Sequence, residues 1–130
     1  MIAFLDTNVI VRHLTGDPPA MAHRATALLA SARQLYLADL VVAETVFVLE
    51  SFYEAPRAQV AGAMRSLLAM PSVSVADDAL LMRALEVYEH VRLDFAEAYL
   101  AACAERTGVG QIASFDRALD RLASVRRVEP

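Results

Sequence analysis

The chain has 130 residues, 57% of them hydrophobic, and a formal net charge of -4 at pH 7. That apolar content excludes a disordered chain, and the length suffices for one domain with a real core. The negative charge argues against holding nucleic acid by bulk electrostatics but leaves room for a local basic rim.

No uninterrupted apolar stretch reaches the roughly 18–20 residues that span a bilayer. The apolar start is broken by Asp6 and has no basic leader, which makes it a poor signal peptide. A soluble, cytoplasmic protein without membrane association is expected. Cys103 is the single cysteine. It has no internal disulfide partner, in keeping with a reducing compartment, and reads as a small apolar residue on a helix. All twelve basic residues are Arg, so any mechanism that requires a lysine is excluded.

Residues 2–5 read as a short buried strand, and Thr7 to about Leu14 as a helix. Gly16-Asp17-Pro18-Pro19 is a break, with Asp17 or Pro18 opening a helix over roughly 19–32. Leu35 to Ala38 resembles a second strand. Asp39 is a plausible N-cap for a helix over about 40–53. Leu40, Val41, Val42, Val46, Phe47, Val48 and Leu49 make that helix apolar almost all round, which predicts a central, buried element. Pro56 stands at a helix start. Val60, Ala61, Met64, Leu67 and Leu68 give a helical stripe that Pro71 closes.

Val73 to Val75 is a short strand. Asp77-Asp78 starts a helix striped by Leu81, Leu85, Tyr88 and Val91. A helix from about Phe95 to Arg106 stops near Gly108. Gln111 to Ser114 is strand-like, Asp116 precedes a short helix, and residues 126–128 suit an edge strand. Short apolar strands alternating with helices predict an α/β fold with a short, mostly parallel central sheet flanked by helices. No repeat, low-complexity segment or linker divides the chain, so residues 1–130 are expected to form a single domain.

In open parallel sheets, ligands bind outside the carboxyl ends of the strands. Asp6 and Asp116 both follow strand ends and can meet if those strands are neighbours. Each also suits a plain helix N-cap. Glu44 stands inside the apolar run Leu40–Leu49, where a buried, unpaired carboxylate costs several kcal/mol or takes up a proton. Either an arginine or a bound cation would compensate. Asp94 and Glu97, three residues apart, share a helix face, with Ala98 and Ala101 keeping that side uncrowded. A capping box is the competing explanation. Acids converging from strand ends and helix starts make sense around hard divalent cations, which take oxygen ligands. The natural reaction of such a site is phosphodiester hydrolysis.

These blocks resemble a PIN domain, and more narrowly a VapC-type toxin ribonuclease of a bacterial toxin–antitoxin pair. The matching pieces are FLDTN at 4–8, ADLVVAETVFVLE at 38–50, LDFAEAYLAACAERTG at 93–108 and SFDRALDRL at 114–122. They run in family order over essentially the whole chain. The resemblance implies a PIN-like three-layer fold and an endoribonuclease dependent on Mg²⁺ or Mn²⁺. It also implies an RNA substrate, a homodimer and a small antitoxin that blocks the acidic pocket.

Asp6, Glu44 and Asp116 match the first, second and last family acids. The third family position, usually Asp, holds Glu97, and Asp94 matches an extra Asp that many members carry three residues earlier. Asp6, Glu44, Asp94, Glu97 and Asp116 are thus the candidate catalytic and metal-holding residues. The third principal ligand is left open between Glu97 and Asp94. Thr7, Asn8 and Ser114 fit supporting roles, orienting carboxylates or water. Arg12, Arg117 and Arg121 lie close in sequence to these acids; they could steer an RNA backbone or simply form solvated helix faces. His13, His23 and His90 show no metal-ligand spacing.

A phosphoacceptor receiver domain needs an acidic pair near the first strand and a strand-end lysine; a haloacid-dehalogenase-type phosphatase wants Asp-x-Asp and a lysine. The chain has neither set. A non-catalytic PIN-like protein-binding module is the remaining alternative. Loss of the acids would be its mark, and Glu97 is the one departure.

Overall fold

Three short strands, β1 (Ile2–Phe4), β2 (Gln34–Tyr36) and β3 (Val73–Ser74), pair in parallel in that order. Parallel neighbours need a crossover. Here the first crossover carries α1 (Thr7–Thr15) and α2 (Pro19–Leu29), and the second α3 (Asp39–Ser51) and α4 (Arg57–Leu68). The computed structural model describes residues 2–31 and 33–130. They fall into two compact units, Met1–Ala76 and Asp77–Pro130.

In the first unit, the core side of α1 presents Ile10 and Val11, and β2 contributes Leu35. The α4 stripe is largely as expected: Val60, Ala61, Met64 and Leu67 are buried, while Leu68 is half-buried. Burying one such aliphatic side chain fully contributes about 1.5–3 kcal/mol. Gly16 ends α1 at φ 72°, its N–H donating to the Arg12 carbonyl at 2.9 Å. An added Cβ there meets nothing within 4 Å. Gly16→Ala therefore incurs only the left-handed backbone cost, and urea unfolding should show a loss of about 1 kcal/mol.

Several expected boundaries move. The α2 helix ends at Leu29, and the expected final residue, 32, lies outside the described residues. The strand expected over 35–38 is Gln34–Tyr36. Asp39 does not cap α3: Ala38 holds the N-cap position and Asp39 is the first helical residue. Nor is α3 buried all round. Val42, Thr45, Val46 and Leu49 face the core, whereas Leu40 and Phe47 are 79% and 62% exposed and Glu44 is also exposed. Apolar residues on both faces of this helix hide the buried stripe from a periodicity argument.

The second unit is a helix pair with a small sheet. Asp77 caps α5 (Asp78–Glu86) by accepting from the Leu80 amide at 3.1 Å, and Arg106 bonds the same carboxylate at 2.7 Å. The α5 helix runs into a π-helical turn, Val87–Val91, closed by Arg92 at φ 64°. Then α6 (Phe95–Thr107) packs on α5. Leu81, Ala84 and Leu85 on one helix, and Ala98, Ala101 and Ala102 on the other, are almost wholly buried. Small alanine side chains let the backbones approach closely. Gly108, at φ 78°, stops α6.

Next come β4 (Gln111–Ala113), a 3₁₀ helix at Arg117–Arg121 and β5 (Arg126–Val128); β4 and β5 pair in parallel. The α/β class and the parallel pairing are thus as the sequence predicts, while the strands described form a three-stranded and a two-stranded sheet rather than one central sheet. No helix among the described residues is long and apolar enough to cross a membrane.

Candidate active site

In the first unit, the polar run after β1 turns directly into α1. Asp6 is its N-cap, Oδ1 accepting from the Thr7 amide at 2.7 Å. The carboxylate is exposed, so the capping role leaves it accessible to a ligand. Thr7 is buried, and its Oγ1 has no hydrogen-bond partner among the described residues. Buried hydroxyls normally find a partner. A cavity of about 340 Å³ opens here, lined by Asp6, Thr7, Asn8, Arg12, Glu44 and apolar side chains including Val48 and Phe52. The structure thus brings Asp6, Thr7, Asn8, Arg12 and Glu44 to one pocket.

Glu44 is not the buried carboxylate that its apolar run predicts. Its carboxylate is exposed, so no desolvation demands a compensating charge. Glu44 has no arginine partner among the described residues. What marks it is its place on the pocket wall.

In the second unit, Glu97 and Asp116 meet. Their carboxyl groups lie close enough to interact by a side-chain hydrogen bond, which raises Glu97 and lowers Asp116. Glu97 is pushed up to about 7, first by desolvation, then by the bond to Asp116, then by the negative charges of Asp116 and Asp94; Arg121 opposes this. Asp116 moves down from the usual carboxylate range. Its bond from Glu97 is the largest cause, the Ala118 amide the next, and Arg121 and Arg127 add positive charge. Two carboxylates in contact cannot both ionise cheaply, so Glu97 keeps its proton to higher pH than an ordinary carboxyl does.

Asp94 holds the N-cap position of α6, but its side chain makes no cap hydrogen bond. The capping-box explanation therefore fails on geometry. Its exposed carboxylate is near enough to Glu97 to raise it. Ser114 accepts the Asp116 amide on Oγ at 3.0 Å, and Asp116 Oδ1 accepts from the Ala118 amide at 2.9 Å. Arg121 donates Nη1 to the Arg92 carbonyl at 3.0 Å, tying the 3₁₀ helix to the backbone just before Asp94. Arg117 is exposed on the same short helix.

Arg127 was not among the expected site residues. Its Nη1 donates to the Ser114 carbonyl at 3.1 Å, while Nε and Nη2 donate to Asp120 at 3.0 and 3.3 Å. With a side chain only 12% exposed, it braces the strand end that carries Asp116. The one available signal was an arginine pair within an expected strand. Among the described residues, no group of three or more His, Cys, Asp or Glu forms a ready-made metal cage.

The family model for the PIN domain matches residues 3–125. Solved structures similar to the chain include VapBC2 from Rickettsia felis bound to a DNA fragment from its promoter. That structure is 14% identical, covers 99% of this chain and 98% of its own, and has a TM-score of 0.40. Another is VapC20 of Mycobacterium tuberculosis, described as a sarcin–ricin loop cleaving toxin. It is 19% identical, with 92% of this chain and 93% of its own covered, and a TM-score of 0.42. No curated protein matches the chain.

Proposed function

This chain belongs to the PIN domain family, and on that premise we propose that it is a metal-dependent endoribonuclease, the toxin of a VapC-type toxin–antitoxin pair. The family match extends through both compact units, which supports reading residues 1–130 as one PIN domain. The observation that carries the activity is the convergence of the Glu97 and Asp116 carboxyl groups beside Asp94.

The donor chemistry fits a hard divalent cation, Mg²⁺ or Mn²⁺. The mutual repulsion that raises Glu97 beside Asp116 and Asp94 is what a cation would relieve. In the first unit, buried Thr7 Oγ1 lacks a partner among the described residues, beside Asp6. Asp6, Glu44, Asp94, Glu97 and Asp116 are the proposed ligands. A cation bound to them supplies positive charge beside the phosphate and makes nearby water more acidic.

The remaining steps belong to the chain. The carboxylates take the proton from the attacking water, whose oxygen adds to phosphorus in line with the departing 3′-oxygen. The P–O3′ bond breaks with its electron pair going to O3′, which takes a proton back from the protonated carboxyl or from solvent, leaving a 3′-hydroxyl and a 5′-phosphate. The Ala118 amide fixes the Asp116 carboxylate, Ser114 Oγ fixes the Asp116 backbone amide, and Arg121 and Arg127 hold the surrounding backbone. A cytoplasmic location, a homodimer and a small antitoxin complete the proposal. Exposed Leu40, Phe47 and Phe52 on and just after α3 support a protein partner.

The test is cleavage of a total RNA pool with Mg²⁺, with Mn²⁺ and with EDTA, beside Asp6→Asn. Asn caps a helix about as well as Asp, so this variant removes the charge while sparing α1. Metal-dependent cutting that disappears in the variant is expected. Metal binding without any cutting would favour the protein-binding module instead.

A further inference from the structure

The Asp6 and Glu44 pocket shares two of its lining residues, Asn8 and Arg12, with a second cavity of about 210 Å³ on the α1–α2 face. That cavity is also lined by Val9, Met21, Arg24, Ala25 and Leu28. Its walls hold two guanidinium groups and no carboxylate, in a chain whose overall charge is negative. Arg12 is half-buried, and its Nε is buried without a hydrogen-bond partner among the described residues. Only Nη1 is engaged, donating to the Asp17 carbonyl at 3.3 Å. Arg24 is exposed and pairs with no carboxylate among the described residues.

A guanidinium carries five donors in a planar fork that matches phosphate oxygens. Leaving a charged donor both buried and unused is costly, so its place on a cavity wall calls for an anionic ligand. Val9, Met21, Ala25 and Leu28 add an apolar floor on which a sugar or base can rest.

We propose that the Arg12–Arg24 cavity is a subsite for a phosphate of the RNA backbone, next to the one being cut. The inference rests on the nuclease reading, because the substrate in the adjoining acidic pocket decides which anion arrives. The cavity sets how the strand enters. Arg12 and Arg24 are positioning residues that hold a neighbouring nucleotide, while the acids act on the scissile bond. This arrangement reconciles an acidic protein with a polyanionic substrate: two local arginines supply the attraction that the net charge withholds.

The test is equilibrium binding of a short, labelled single-stranded RNA of mixed sequence to the full chain in EDTA, followed by fluorescence anisotropy across a salt series. Arg12→Gln and Arg24→Gln are each expected to weaken binding about fivefold and to reduce the slope of log affinity against log salt by about 0.7. Arg12→Lys keeps the charge but not the fork, so it should retain the slope while losing affinity. Arg33→Gln, an exposed arginine lining neither cavity, controls for bulk charge. Circular dichroism of each variant checks folding, and exposed Arg24 keeps the test open if Arg12 variants misfold.

Unchanged affinity and slope in folded Arg24→Gln overturn the subsite. So does an equal loss in Arg33→Gln, or a wild type that does not bind the RNA. Cleavage by the wild type in Mg²⁺ is scored separately. A chain that cuts RNA but binds it independently of Arg12 and Arg24 loses only this inference. A chain that binds through both arginines but never cuts keeps the phosphate site and loses the nuclease reading, and with it the site's placement beside a scissile bond.

Discussion

In Glu97→Gln, RNA cleavage falls at least about a hundredfold, beyond the loss typical of removing an outer partner of a metal site. The metal-free variant is nevertheless more stable than the wild type above pH 7. Both expectations have one origin. Glu97 is raised from 4.5 to about 7 in the folded chain, with desolvation the largest cause. For an acid shifted upward, the folded state holds the proton more tightly than the unfolded state does. The stability this gives is fully present below pH 4.5 and is lost as pH rises through about 7. Above that, the folded protein carries a poorly solvated charge beside Asp116.

Gln at this position can still donate to Asp116 and carries no charge. The full shift would correspond to about 3 kcal/mol. Part of it cancels, because the bond that raises Glu97 lowers Asp116. Partial solvent access screens more. About 1–2 kcal/mol should remain. Urea unfolding in EDTA on either side of pH 7 measures it. Equal midpoints for variant and wild type at high pH would mean that the pair carries no electrostatic strain.

The parts of this site that could be read from sequence were those set by local rules. Asp6-Thr7-Asn8 interrupts an apolar strand, and Asp6 does cap the helix that follows. Asp116 repeats the arrangement after β4, with Ser114 fixing its amide. Local rules misled where two of them competed. Asp94 and Glu97 have capping-box spacing, yet the Asp94 side chain makes no cap bond. Glu44 was selected for burial it does not have, because α3 is apolar on its exposed face as well as its buried one.

Contacts between distant segments were not legible. No spacing rule pairs Glu97 with Asp116, or Arg127 with the Ser114 carbonyl. The same limit hid the second cavity, since α1 and α2 must pack before Arg12 and Arg24 share a wall. The π-helical turn before Asp94 was equally invisible. It closes at Arg92 in a left-handed conformation, whose carbonyl Arg121 bonds from a distant segment.

Away from the acids, Glu105→Gln is expected to destabilise the protein by about 1–3 kcal/mol at neutral pH and to flatten its acid limb. Glu105 on α6 accepts two bonds from Arg83 on α5, at 2.9 and 3.0 Å, and a third from Ser124. Arg83 holds the Glu105 carboxyl below its ordinary value of 4.5; burial opposes this, and Ser124 reinforces it. For an acid shifted downward, the stability is present above the unfolded value and lost as pH falls through the folded one.

Wild type and variant should therefore differ most above pH 4.5 and converge as Glu105 protonates below it. Gln can keep one bond to Arg83, and Arg83 still has Glu86 at 2.6 Å, so the loss stays short of a fully orphaned charge. Unfolding midpoints measured from neutral pH into acid would expose the difference. A constant gap at every pH would assign the loss to packing of the α5–α6 pair; a gap that closes in acid assigns it to the charge.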